Sequence, residues 1–259
     1  LEEFSFETQE GVICRGCSNS CSRTIITFAE GRSFVTGNRC ERGELDQSTH
    51  GKRDAGPFVL QDRLLTKQFV PVAHGDRPTT RIGLPRVLEF WQSLPFWKAV
   101  FESCGFEVVV SKRSSAALFE RGLHRVLSDT ICLPAKLVHG HILDLIERGA
   151  VRIFFPSMIR TIKDNPKHAG AEVCPIVQGY PIVADISDET MSRYGVPMDR
   201  PALHFFDNKT RTDQTVAMLV DHYNVDKEVA RRAVEHGRSA ETLFYGELEE
   251  YGSRIKAGL

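Results

Sequence analysis

The chain lacks any apolar run long enough to cross a bilayer. Stretches such as Val108 through Val110 fall far short of the roughly 20 residues a membrane helix needs, and no basic segment followed by an apolar one opens the sequence. It also lacks a charge excess: Lys plus Arg is 33 against 34 for Asp plus Glu, a net charge of -1. That balance gives no electrostatic reason to expect nucleic acid or an anionic membrane as a partner. There is no Gly-x-x-x-x-Gly-Lys-Ser/Thr and no Gly-x-Gly-x-x-Gly after a strand, so ATP hydrolysis or NAD binding through those loops is not expected. The absence of Gly-x-Ser-x-Gly and His-Glu-x-x-His removes the common hydrolase routes. A complete disulfide framework is missing too, since seven cysteines is an odd number that suits ligands and free thiols in a reducing compartment. The chain reads as cytoplasmic.

What is present begins with four cysteines within 27 residues: Cys14, Cys17, Cys21 and Cys40. Cys-x2-Cys-x3-Cys with one remote partner is a metal-site spacing, because four soft thiolates reachable from one loop and one returning strand can enclose a zinc ion or an iron-sulfur cluster. Two disulfides are the alternative, and they would need an oxidising compartment. Between Cys21 and Cys40, Thr24–Phe28 and Ser33–Thr36 read as two strands joined at Gly31. Such a hairpin returns Cys40 to the loop that carries the other three. Three thiolates crowded on one loop lean toward iron-sulfur, whereas a hairpin closed by four thiolates is also a common structural zinc design.

At 259 residues the chain can bury a substantial core without staples. The expected class is α/β: a parallel, Rossmann-like sheet domain with an N-terminal four-cysteine metal-binding β-hairpin and a C-terminal helical segment. Residues 1–46 form the hairpin region, 47–80 a polar connector with an apolar patch at Phe58-Val59-Leu60, 81–207 the α/β domain and 208–259 the helices. The middle part alternates strands at Arg81–Leu84, Glu107–Ser111, Val151–Phe155 and Ala202–Phe206 with helices. Those helices include one broken at Pro95, one at Ser115–Arg121 and one at Pro134–Arg148, and Ile182–Ile186 is of undecided type. Helix-period apolar positions such as Val229, Ala233, Leu243 and Leu248 mark the C-terminal helices. The chain opens on Leu1 and closes on a charged helical stretch, Tyr251 to Leu259, as a segment of a longer protein does and as a processed terminus also does.

Two further cysteines stand where a parallel sheet places functional groups. Cys132 directly precedes the Pro134–Arg148 helix, and Cys174 lies in Val173-Cys174-Pro175 after the Val151 strand. In open α/β sheets, ligands sit beyond the carboxyl ends of the strands, where two such loops converge. The competing reading of each is a small buried hydrophobe. Cys104, at a helix end ahead of Gly105, is read as core. His139 and His141 are two residues apart on one helix, on different faces, so they cannot both ligate one ion.

Taken together, Cys14-Arg-Gly-Cys17-Ser-Asn-Ser-Cys21, Gly37-Asn-Arg-Cys40-Glu-Arg-Gly43, Ile82-Gly-Leu-Pro-Arg86, Cys132-Leu-Pro-Ala-Lys-Leu-Val-His-Gly-His141 and Cys174-Pro-Ile-Val-Gln-Gly-Tyr-Pro181 resemble the activase-related domain of the 2-hydroxyacyl-CoA dehydratase superfamily. The resemblance implies a part of a long dehydratase activator-like protein, working in ATP-coupled, low-potential electron transfer toward acyl-CoA dehydration. ATPase activator modules, in the same chain or separate, and dehydratase-like subunits would be its partners, with acyl-CoA nearby. It implies a [4Fe-4S] cluster or Zn2+ at the four-cysteine site and a second [4Fe-4S] at Cys132 and Cys174. A third cysteine is implied near the end of the Val151 strand, where this sequence has Ser157. The second cluster would then need an oxygen ligand, a residue from elsewhere or a partner chain. A scaffold with structural zinc that docks ATPase or dehydratase partners is the alternative, and neither reading makes this chain a complete enzyme by itself.

Overall fold

The computed structural model describes residues 5–15, 19–29, 31–39, 56–69, 80–163, 167 and 170–257. The chain divides into two compact units, Leu1–Gly56 and Pro57–Leu259.

The first unit is a three-stranded antiparallel sheet in the order β1 (Phe6–Ile13), β2 (Ser22–Phe28), β3 (Ser33–Thr36). The β2–β3 hairpin expected from sequence is present, with Thr24 opposite Thr36 and the turn closed by the Gly31 amide on the Phe28 carbonyl at 2.8 Å. Gly31 has φ +78°, a conformation glycine adopts without strain. The strand β1 has no counterpart in the sequence reading: Thr8-Gln9-Glu10-Gly11 shows no apolar alternation, and the β1–β2 register shifts between Gln9 and Val12. Ile25, on the central strand, is buried at the middle of this small sheet.

In the second unit, four short parallel strands align in the order β5 (Glu107–Val110), β4 (Arg81–Leu84), β6 (Arg152–Phe154), β8 (Met198–Asp199). Beyond the carboxyl ends of β6 and β8 the same two chain segments continue as a second parallel pair, β7 (Ser157–Arg160) and β9 (Ala202–His204). The connections are α1 (Pro57–Leu64) ahead of β4, α2 (Phe90–Ser103) between β4 and β5, α3 (Ala116–Gly122) and α4 (Leu133–Glu147) between β5 and β6, and α5 (Pro175–Asp188) and α6 (Thr190–Tyr194) between β7 and β8. Two last helices follow β9: α7 (Asn208–Tyr223) and the 31-residue α8 (Lys227–Ala257).

The chain moves from β4 to β5 in one direction, then back past β4 to β6 and on to β8. Right-handed crossovers therefore put α2 on one face and α4 and α5 on the other. α8 packs along α2, and α3 and α5 pack on α4. The core between α2 and the sheet is aromatic: Trp97 and Phe101 approach Phe154 at ring-centroid distances of 4.7 and 5.0 Å, and Phe90 stacks on Phe155 at 6.3 Å. Tilted and edge-on contacts of this kind add to the area effect of burying such large rings.

Two expectations are corrected here, and one open assignment is settled. α2 is not broken at Pro95 but runs through it. The carbonyl that Pro95 cannot bond, that of Trp91 one turn earlier, accepts instead from Gln61 Nε2 at 3.0 Å. Pro57–Leu64, read as connector, is the helix that carries Gln61, and its Leu64 and the following Leu65 are buried in the core. Ile182–Ile186 lies inside α5, a helix that also contains Pro181.

α3 and α4 meet at two glycines. A Cβ on Gly140 would lie 2.1 Å from the Leu118 carbonyl oxygen, and one on Gly122 would lie 2.3 Å from the Gly140 amide nitrogen. Alanine in place of a helical glycine ordinarily stabilises by about 1 kcal/mol. At this crossing the sign reverses, because the obstructing atoms are backbone. Gly140→Ala is expected to destabilise the larger unit by about 3 kcal/mol, read as a lowered urea midpoint; an unchanged or raised midpoint would refute the close approach.

Candidate functional site at the carboxyl edge of the sheet

Because every strand of the main sheet is parallel, α2, α4 and α5 all begin at the carboxyl edge, the side where open α/β sheets place ligands. The two cysteines singled out from sequence occupy equivalent places there. Cys132 is the N-cap of α4 and Cys174 the N-cap of α5; both have non-helical backbone, both are followed within two residues by proline, and both are exposed. Proline suits the first helical turn, whose amides have no partner in the helix. The Cys132 carbonyl opens the α4 ladder by accepting from the amides of Ala135 and Lys136 at 3.1 and 3.2 Å.

Behind these N-caps a buried polar network ties α4 to α5. His139, two turns along α4 from Cys132, is fully buried. Its Nδ1 lies 3.1 Å from both carboxylate oxygens of Asp188, and its Nε2 lies 2.8 Å from the Tyr180 hydroxyl. Burial, the Asp188 carboxylate and the charge of Cys132 together push the Tyr180 hydroxyl up to about 12, so it keeps its proton. The partners fix the tautomer: Tyr180 donates to Nε2, and Nδ1–H donates to Asp188. Asp188 is held in turn by Arg125, whose Nη1 donates to the Asp188 carbonyl at 2.9 Å and whose Nη2 donates to the Tyr194 hydroxyl at 2.7 Å.

His141 faces a different neighbourhood, as its spacing from His139 requires. Its ring nitrogens lie 2.7 Å from Ser111 Oγ and 3.0 Å from Ser114 Oγ, in the loop that leaves β5. Ser111 Oγ also accepts from the Arg86 amide at 2.8 Å, so His141 pins the loops following β4 and β5 to α4. Burial lowers its pKa to about 4; Asp144 opposes the shift and Arg86 adds to it. Both ring nitrogens of each histidine are thus engaged by other side chains. Ser157, the first residue of β7, is buried and its Oγ has no hydrogen-bond partner, a hydroxyl left with unused donor and acceptor capacity. The helix α5 packs on β7.

In the first unit, Cys14 and Cys21 stand at adjacent strand ends just beyond the Ile13–Ser22 pair, with the Cys14 amide on the Cys21 carbonyl at 2.8 Å. Cys14 is buried and Cys21 half-buried. Cys17 and Cys40 lie outside the described residues. Among the described residues no three His, Cys, Asp or Glu side chains gather closely enough to hold a metal ion. Cys104 packs against the core at the end of α2, and burial raises its thiol to about 12. It stays a neutral thiol.

Residues 81–258 match the family model described as the CoA enzyme activase uncharacterised domain (DUF2229). The chain belongs to this family. No curated protein and no solved structure matches it. The matched span takes in the whole carboxyl edge of this CoA enzyme activase domain, Cys132 and Cys174 included, and leaves the first unit outside. The sequence reading missed Arg125, Tyr180 and Asp188 as members of the edge network. Tyr180 is 41 residues and Asp188 is 49 residues from His139, and nothing local to either marks the contact.

The activase domain should lose stability in acid through His141. Its folded pKa is depressed below the ordinary value near 6.5, so the unfolded chain binds the extra proton. That contribution is complete above about pH 6.5 and is lost as the pH falls from there to about 4. It amounts to something on the order of 3 kcal/mol. Urea midpoints measured across that range should fall more steeply in the native chain than in His141→Gln; equal slopes would refute the assignment.

Proposed function

We propose that this domain is the electron-handling part of an activator acting in ATP-coupled, low-potential electron transfer toward the dehydration of 2-hydroxyacyl-CoA. The observation that carries the reading is the pair of exposed cysteines capping two helices tied together by one buried histidine, within a CoA enzyme activase domain. Thiolates at the surface edge of a sheet suit a soft iron-sulfur group that must pass an electron to a docked protein. Such a group, when bound, supplies a single electron of low potential to a partner that carries the thioester chemistry.

The chain's own residues divide the work. Cys132 and Cys174 are the thiolate donors at the edge, and the orphaned Ser157 hydroxyl is the oxygen donor the chain offers toward a second [4Fe-4S] cluster. Tyr180, His139 and Asp188 hold α4 and α5 in register, so the two donors keep a fixed separation. Cys14, Cys17, Cys21 and Cys40 form a four-thiolate set for a [4Fe-4S] cluster or Zn2+. Dehydratase-like subunits and ATPase modules are the partners this reading calls for, with acyl-CoA bound by the former, in the cytoplasm. No helix among the described residues is long and apolar enough to cross a membrane.

A second reading starts from the first unit, where a buried Cys14 stands beside Cys21 at the end of an antiparallel ladder, two of the four thiols that a closed structural zinc site would use. One preparation separates the two. Anaerobically purified protein should contain iron and acid-labile sulfide and give an electron paramagnetic resonance signal after dithionite reduction. Cys132→Ser or Cys174→Ser should remove part of the iron and leave the rest. Zinc without iron sinks the electron-transfer reading and leaves the scaffold one. Under the zinc reading, Cys14→Ser should release the ion and unfold the N-terminal sheet, while the unfolding transition of the larger unit stays in place.

A further inference from the structure

On the α2 face of the same carboxyl edge lies a cavity of about 880 Å³ that the cysteines do not touch. Its walls come from the start of α2, the segment leaving β7, the start of α7 and the middle of α8. This is where strand order reverses, since the chain leaves β4 for β5 on one side and later passes to β6 on the other. Crevices at such a point are where open α/β sheets bind small molecules. The volume lies within the range of ligand pockets and far exceeds that of a single ion.

The lining is charged, and its charges are unevenly satisfied. Arg211 is locked: Nη1 donates to Glu241 at 2.7 Å, Nη2 to Asn208 Oδ1 at 3.0 Å, the guanidinium lies 4.9 Å over the Phe96 ring, and its buried Nε has no partner. Arg238, one helical turn before Glu241 on α8, has no hydrogen bond or ion pair from its guanidinium among the described residues. Glu89, at the N-cap of α2, is buried and carries a carboxyl pushed up to about 7, chiefly by burial, with Glu241 adding and Ser93 opposing. The charged groups facing the cavity are Lys163, Arg211 and Arg238 against Glu89, Glu241 and Glu249. They balance three against three when Glu89 is ionised, and leave one positive charge when it is protonated.

We propose that this cleft binds a small polar molecule through a carboxylate or phosphate seated on the guanidinium of Arg238. A guanidinium with its fork unoccupied, in a roomy polar cavity, matches the planar geometry of either oxyanion. The site is independent of the cysteines, so it stands whether or not the domain holds a metal. Glu89 couples the site to protons: its neutral form leaves the cavity net positive, so the anion is held more tightly below pH 7 than above it.

Isothermal titration calorimetry of the full chain with adenosine 5′-phosphate in one arm and glutarate in the other tests this. At least one probe should bind at sub-millimolar concentration, and whichever binds identifies the oxyanion as phosphate or carboxylate. Arg238→Gln, a half-exposed substitution, should weaken that binding about ten-fold with the unfolding midpoint unchanged. Glu89→Gln should flatten the dependence of affinity on pH across neutrality. Failure of both probes to bind at millimolar concentration, or binding that Arg238→Gln leaves unchanged, overturns the proposal.

Discussion

A parallel sheet must be covered on both faces, and among the described residues it is four short strands wide. That constraint accounts for most of what surrounds it. Each strand of the main sheet is too short to bury much by itself, so the helices bring the bulk: Phe90, Trp97 and Phe101 of α2 close over β6, with α8 laid along the outside of α2. Parallel strands also oblige their following helices to start at the same edge. The two cysteine N-caps, the Tyr180–His139–Asp188 network, the His141 pin and the Glu89–Arg238 cleft therefore share one rim, on opposite faces of one sheet. Their nearness follows from topology rather than from any local sequence signal.

How far the sequence speaks depends on the range over which each feature is determined. The alternation of strands and helices from Arg81 onward was legible because each element carries its own periodicity, and the β2–β3 hairpin was legible because its turn needs a glycine at Gly31. Elements defined by partners were not. β1 is polar through Glu7 to Glu10, has no apolar alternation, and is a strand because β2 offers it a ladder. α1 lies in a stretch broken by glycine and proline on both sides, and it is a helix whose Leu64 is buried by the rest of the unit. Pro95 read as a break because the residue that satisfies the Trp91 carbonyl in its place, Gln61, lies 30 positions before Trp91.

The candidate site divides the same way. Cys132 and Cys174 could be found as reactive types at element boundaries, and the spacing of His139 and His141 showed that they serve different neighbours. The chemistry of those neighbours was hidden. His139 could have been a ligand or a core residue from sequence; with both nitrogens engaged by Asp188 and Tyr180 it is a structural tie. Glu89 drew no notice at all, because an acidic residue near a helix start is ordinary there, and only the packing of α7 and α8 around it makes it a buried titrating group.

The hydrogen bond from Gln61 to the Trp91 carbonyl reaches beyond the repair of one helix. A proline in mid-helix leaves a carbonyl that nothing inside the helix can satisfy, so it acts as a socket shaped for one outside donor. Here that donor belongs to the segment preceding the sheet, and the socket opens two residues from Glu89 at the rim of the cleft. The helix α1 thus props one wall of that cleft from outside α2, so the shape of the wall depends on a segment that lies before the first strand of the sheet.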